Sequence, residues 1–157
     1  MHGFLKSGLL VLFSLFLVGC GPAPREPRPV RPESDVCPAC RMTVLSEGHA
    51  TQSVDLDGNV LVFDDPGCLA LYHHDHSNAF KTARFFVQDA QTKAWVAWEE
   101  ATFVRADAVP SPMNYGWHAF ATLDRAKIFA TAVQGQVLTA ITLEALAEDL
   151  GGRRWVP

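Results

Sequence analysis

The sequence lacks the patterns that mark several common classes of enzyme. It contains no Ser-His-Asp order of the hydrolase type, no nucleophile elbow and no phosphate-binding glycine loop. It also has no cluster of basic residues, and its formal net charge is −4. Mild acidity without a basic patch excludes nucleic acid as an expected partner.

Cysteine and methionine are scarce, which limits the metal and disulfide sites that the chain can build. Beyond Cys20 there are three cysteines and two methionines. An odd number of thiols cannot form a complete disulfide framework. A structural zinc site needs four Cys or His ligands in paired spacing, and a second Cys-x-x-Cys motif is absent. Zinc stays open, with further ligands drawn from the histidines beyond Cys20, which are His49, His73, His74, His76 and His118.

Residues 1–19 have the order of a bacterial signal peptide. One lysine, Lys6, precedes the uncharged apolar run 8–18, which is short for a membrane span. The run ends in Leu-Val-Gly-Cys, which resembles a lipobox, so Cys20 is predicted to be the lipidated first residue of the mature protein. By analogy with lipoproteins, Gly21 favours the outer membrane. An uncleaved anchor helix is the alternative, and it also tethers the body to a membrane outside the cytoplasm.

Residues 20–35 are predicted to form a lipidated, proline-rich stalk. Five of the ten prolines lie in this segment. At ~3.1 Å per residue, a polyproline-II stalk holds the folded body up to ~45 Å from the lipid. The remaining residues, 36–157, suit one compact domain or two very small ones.

Turn and cap signals in this body predict two copies of a strand, strand, helix, strand unit, in residues 36–92 and 93–157. The fold class is therefore α+β, with a helix added at the C-terminal end. In the first unit the predicted elements are strands 50–56 and 60–63, helix 66–74 after an Asp65 cap, and strand 83–89. In the second they are strands 101–106 and 116–121, helix 123–134, strand 136–140 and the final helix 142–150.

The sulfur atoms concentrate in the segment Cys37-Pro38-Ala39-Cys40-Arg41-Met42. This segment precedes a strand and does not open a thioredoxin-type helix, which disfavours a redox dithiol. Cys40 and Met42, two residues apart on an extended segment, face the same side. Thiolate and thioether are soft donors, and Cu(I) is the first-row ion that prefers them. Met113 lies in a long loop of the second unit, which the two-unit arrangement permits to converge with Cys40 and Met42.

Three other features are candidates for metal binding, and the first two are interpreted as structural. Cys68 lies on the apolar face of the first predicted helix and is interpreted as a small buried hydrophobe, with a ligand role as the alternative. The run from His73 to His76 is interpreted as a solvated helix terminus, where imidazolium suits the helix dipole, with a second metal site as the alternative. Cys37 is either an additional ligand or a reserve thiol.

Together these motifs resemble the NosL family, the accessory lipoproteins of nitrous oxide reductase. The resemblance is carried, in order, by the lipobox, Cys37-x-x-Cys40-x-Met42, Asp57-Gly58, Phe63-Asp64-Asp65-Pro66-Gly67-Cys68, Trp95, Phe103-Val104, Pro112-Met113-x-x-Gly116 and Ala119-Phe120. It implies a periplasmic Cu(I) chaperone, not an enzyme, that supplies the copper centres of apo nitrous oxide reductase. It also implies two ββαβ units arranged head to tail, similar to organomercury lyase, and a membrane transporter complex of the same maturation system as a further partner.

The resemblance assigns Cys40, Met42 and Met113 as copper ligands, with Cys37 as an additional candidate. Two positions depart from the family pattern. Arg41 stands where the family usually has Gly between Cys and Met, and Asn114 stands where it usually has Gly after the second Met. Asn tolerates the left-handed backbone conformation better than most residues, whereas Arg41 adds bulk and charge beside the metal.

Two other functions remain open from the sequence. A thiol-dependent or organometallic lyase, suggested by the implied fold kinship, would use Cys37, Cys40 and Cys68 together. A structural lipoprotein would instead join Cys37 to Cys40 in a disulfide or bind zinc.

Overall fold

The computed structural model describes residues 25–45 and 48–151. The predicted signal peptide, the predicted lipidation site Cys20 and the start of the stalk lie outside these residues. The described chain is a mixed α+β fold with two antiparallel sheets and three α-helices, which confirms the predicted fold class. No helix among residues 25–45 and 48–151 is long and apolar enough to cross a membrane.

The first sheet has the strand order β2-β1-β3-β4. Its strands are β1 (Thr51–Val54), β2 (Val60–Phe63), β3 (Arg84–Gln88) and β4 (Trp95–Ala97). The β1–β2 hairpin is held by Asp55, whose carboxylate accepts hydrogen bonds from the backbone N–H groups of Asp57 and Asn59. Strand β4 was not predicted, because it is a three-residue edge strand whose structure depends on pairing with β3.

Helix α1 (Pro66–Asp75) connects β2 to β3 and begins as predicted. Asp65 is the N-cap, and its side chain accepts a hydrogen bond from Gly67 N at 2.8 Å. Pro66 occupies the first helical position, where its missing N–H costs nothing. The first half of the helix is buried, and Tyr115 packs so closely on it that a Cβ at Gly67 would overlap the Tyr115 ring.

The second sheet has the strand order β6-β5-β7. Its strands are β5 (Thr102–Arg105), β6 (Trp117–Phe120) and β7 (Gln136–Thr139). Helix α2 (Leu123–Val133) connects β6 to β7, and Thr122 caps it. Helix α3 (Leu143–Asp149) follows β7 and packs against α1, with Leu143, Leu146 and Ala147 buried. The last helix therefore returns the chain from the second sheet to the first half of the molecule.

The described part of the predicted stalk, residues 25–35, contacts the body. The side chain of Gln52 in β1 accepts a hydrogen bond from Arg28 N at 3.0 Å and donates one to Arg28 O at 2.7 Å. Arg28 also forms a two-pronged ion pair with Asp35, at 2.6 and 2.8 Å. The stalk thus differs from a free spacer in this part, because Gln52 satisfies both backbone groups of Arg28 as a neighbouring strand would.

Candidate metal centre

The sulfur-rich loop is closed by backbone pairing. Val36 and Thr43 form an antiparallel bridge, and within it Cys37 N donates to Met42 O at 2.9 Å. Arg41 N donates to Cys37 O at 2.8 Å, and Arg41 itself is left-handed, with φ 62°. This reversal of the chain at Arg41 lets Cys37 and Cys40 both enter the core, where they are 0% and 1% exposed.

Cys68, in the first turn of α1, completes a group of three thiols. The Sγ atoms of Cys37, Cys40 and Cys68 all lie within 4.8 Å of one another, and none is in a disulfide. The predicted burial of Cys68 is correct, and its place beside Cys37 and Cys40 was expected only under the lyase alternative. The available signal was the odd number of thiols, which leaves at least one cysteine free, buried or bound.

The three thiols share their protons through hydrogen bonds. Cys40, and after it Cys68, donate to the sulfur of Cys37 and hold the pKa of Cys37 far below its usual range. The same hydrogen bonds to Cys37 raise the pKa values of Cys40 and Cys68, because these two must keep their protons to donate. The group therefore titrates as a unit that readily loses one proton. A metal ion that binds all three sulfurs must displace the other protons.

The two predicted methionine ligands lie on segments that border this group. The prediction that Cys40 and Met42 face the same side of an extended segment is wrong, because left-handed Arg41 separates buried Cys40 from exposed Met42. Met42 is 45% exposed and lines a surface cavity of about 350 Å³ together with His49, Asp64 and the 110–112 part of the β5–β6 loop. Met113, further along that loop, is half-buried against the core cluster that contains the three cysteines. The structure thus brings the loop of the second sheet to the sulfur-rich segment of the first half.

Asp65 fixes the position of the Met113 loop. Besides capping α1, its carboxylate accepts hydrogen bonds from Ser111 Oγ at 2.7 Å and from Met113 N at 3.4 Å. Burial raises the pKa of Asp65 to about 6, against the effect of these hydrogen bonds, so the group is mainly ionised at neutral pH. Asn114 then reverses the loop with φ 53°. One carboxylate therefore holds both the helix that carries Cys68 and the loop that carries Met113.

A cavity of about 220 Å³ leads to the thiols along one face of α1. Its wall includes Cys40 and Cys68, and further along α1 it includes Leu71, Tyr72, Asp75 and His76. Two of the three cysteines therefore border space that a metal ion or a partner's side chain can enter.

The predicted solvated helix terminus holds for two of the three histidines, since His74 and His76 are both exposed. His73 is half-buried, contacts Phe80 and Phe85, and has Nδ1 3.6 Å from Glu144. His76 is held against Tyr72 by stacking and by a hydrogen bond.

His49 and His118 form a separate, partly buried pair. His49 Nε2 and His118 Nδ1 are 3.1 Å apart, and His118 is 2% exposed. Burial, and secondarily the neighbouring His49, lower the pKa of His118 to about 4. Among the described residues, the cluster of potential metal ligands consists of the Cys37, Cys40 and Cys68 thiols, and no histidine belongs to it.

Comparison with known proteins adds a family and a fold. The model of the NosL family matches residues 30–146. No curated protein matches the chain. Among solved structures, the crystal structure of the copper chaperone NosL from Shewanella denitrificans is similar, with a TM-score of 0.63 at 14% sequence identity. The similarity covers 74% of this chain and 93% of that one.

Proposed function

This chain belongs to the NosL family, and from that premise we propose that it is a Cu(I) chaperone that delivers copper to nitrous oxide reductase during assembly of that enzyme's copper centres. The observation that carries the proposal is the group of three buried thiols within 4.8 Å of one another. The similar protein from Shewanella denitrificans is a copper chaperone, which supports the same role. The protein acts as a carrier in this proposal and not as an enzyme.

The proposed ligands are Cys40, Met42 and Met113, with Cys37 and Cys68 as further thiols of the site. Cu(I) is stable with a small number of soft sulfur donors. The site offers more sulfurs than one ion needs, so the ion can exchange one donor for another without leaving sulfur coordination. A ligand of the acceptor enzyme can enter in the same way, and copper then passes to the acceptor by ligand exchange.

The same proposal includes the place of the protein in the cell. The order of residues 1–20 supports attachment through Cys20 to the periplasmic face of the outer membrane, with a transporter complex of the maturation system as a further partner. The division into units 36–92 and 93–157, arranged head to tail as in organomercury lyase, is also part of the proposal. Replacement of Cys20 by Ala should release the protein from the membrane fraction, which cell fractionation measures.

An anaerobic Cu(I) titration against a competing chromophoric chelator tests the carrier function. The mature chain with Cys20→Ser should bind one tight equivalent, and Cys40→Ser, Met42→Leu and Met113→Leu should each lower the affinity by at least about tenfold. Leu45→Ala is the matched control, because Leu45 is 47% exposed in the same region and carries no donor. Copper binding is wrong as a function if the parent, with all thiols verified as reduced, yields its copper to the chelator throughout.

The grouping of three thiols also favours a second candidate function, a thiol-dependent lyase. That activity would need Cys37, Cys40 and Cys68 together and would not need a thioether. Loss of activity in Cys68→Ser, with full activity in Met42→Leu and Met113→Leu, would favour the lyase. Loss of copper binding in Met42→Leu and Met113→Leu would favour the carrier, because the lyase needs no thioether.

A further inference from the structure

One face of α1 connects the thiols to the end of the helix. Cys68, Tyr72 and His76 are spaced by four residues each, so they lie along the same face. All three line the cavity of about 220 Å³, and Asp75 adds a carboxylate to its wall. Eight residues of α-helix span ~12 Å along the axis, which is too far for one ion to be bound by Cys68 and His76 at once. A metal ion near His76 is therefore at a separate position from the thiols.

The ring of His76 is held in one orientation. It stacks on Tyr72 with ring centroids 4.1 Å apart and an angle of 18° between the planes. Its Nδ1 lies 2.9 Å from the backbone oxygen of Tyr72. A carbonyl oxygen only accepts hydrogen bonds, so Nδ1 carries the proton and Nε2 keeps its lone pair. Histidines that bind metals usually show this arrangement, with one ring nitrogen donating to a carbonyl and the other free to coordinate.

We propose that His76 is an outer relay ligand, which binds Cu(I) through Nε2 between the thiol group and the solvent; this inference rests on the proposed carrier function. The ion leaves Cys40 and Cys68 along the cavity, is held briefly by His76, and passes from there to an incoming ligand. The relay changes the rate of copper exchange, whereas the sulfur site sets the equilibrium affinity.

The test compares exchange rates in three variants of the mature chain. His76→Phe keeps a ring that stacks on Tyr72 and removes the donor nitrogen, whereas His76→Met supplies a new soft donor. His74→Phe is the matched control, because His74 lies at the same helix end and is likewise exposed but does not line the cavity. Stopped-flow transfer of Cu(I) to the chelator should be slowed by about tenfold in His76→Phe, close to parental in His76→Met, and unchanged in His74→Phe. Equilibrium affinity should be the same in all four proteins.

The tautomer of His76 gives a readout that does not depend on copper transfer. Nitrogen chemical shifts of the imidazole should show the proton on Nδ1 in the metal-free protein. A proton on Nε2, or equal transfer rates in His76→Phe and the parent, would overturn the relay while leaving the carrier function intact. Failure of the parent to retain Cu(I) would overturn the carrier function and the relay together.

Discussion

Helices α1 and α2 hold equivalent places in chain order, each between the second and third strand of a sheet, but their first turns are in different surroundings. In α1 the cap Asp65 and the first five residues are buried. In α2 the cap Thr122 and the residues Leu123 to Arg125 are exposed. The β5–β6 loop and α3 cover the start of α1, and no comparable cover lies on the described start of α2.

The two helix starts therefore differ in what they offer a thiolate. Both offer N–H groups and a positive dipole end, which stabilise a thiolate, but burial at the start of α1 disfavours the charged form. The thiolate at Cys37 is stabilised by the hydrogen bonds from Cys40 and Cys68. The candidate metal centre is therefore a product of the contact between the halves, since the second sheet supplies the loop that covers α1.

The largest expected difference in stability is between removal of the α1 cap, Asp65, and removal of the α2 cap, Thr122. Asp65→Ala removes the α1 cap and leaves Ser111 Oγ and Met113 N without their acceptor, so the free energy of unfolding should fall by about 3 kcal/mol. Thr122→Ala removes only an exposed cap and should cost about 1 kcal/mol. Urea unfolding of the metal-free chain measures both, and Asp65→Asn, which keeps an acceptor oxygen, should lie between them. Equal losses in the two Ala variants would show that burial does not distinguish the caps.

An intermediate loss of stability is expected at low pH. It comes from the contact between His49, which precedes β1, and His118 in β6 of the second sheet. The pKa of His118 is about 4 in the folded chain, below the ordinary value of about 6.5 for histidine. Between these values the unfolded chain binds a proton that the folded chain does not, so stability should fall as the pH falls. From pH 7 to pH 4.5 the loss from this group should be about 2 kcal/mol.

Urea unfolding over this pH range, in the parent and in His118→Leu, measures that loss. On acidification, the variant should lose about 2 kcal/mol less of its free energy of unfolding than the parent loses. His74→Gln serves as the control, because His74 is exposed and should leave the pH dependence unchanged. Parallel pH profiles for the parent and His118→Leu would contradict the prediction.

The smallest expected effect concerns one left-handed residue in each half. Arg41 has φ 62° in the sulfur-rich loop, and Gln134 has φ 56° at the end of α2. Glycine adopts this conformation without the steric penalty of a side chain, so Arg41→Gly and Gln134→Gly should each raise the free energy of unfolding by about 1 kcal/mol. Only Arg41→Gly should also change Cu(I) exchange. Destabilisation by Arg41→Gly alone would show instead that the arginine side chain supports the loop.

Local signals predicted most of the secondary structure. The Asp65 and Thr122 caps, the Pro66 start and the Asp55–Asn59 turn operate over a few neighbouring residues, and the helices begin where these signals place them. Strand β4 and the contact of Arg28 with Gln52 were not predicted. Both depend on partners far away in sequence, for which a local pattern carries no information.

By itself, the sequence determined the family resemblance, the α+β class, the helix caps and the prediction of a sulfur-rich metal site. It also identified Arg41 and Asn114 as the two departures from glycine, and both are left-handed in the structure. Only the tertiary structure decided that Cys68 joins Cys37 and Cys40, that Asp65 holds the Met113 loop, and that His76 and His74 have different surroundings. Residue type and spacing record which chemistry is available, whereas distance and burial arise when separate segments pack against one another.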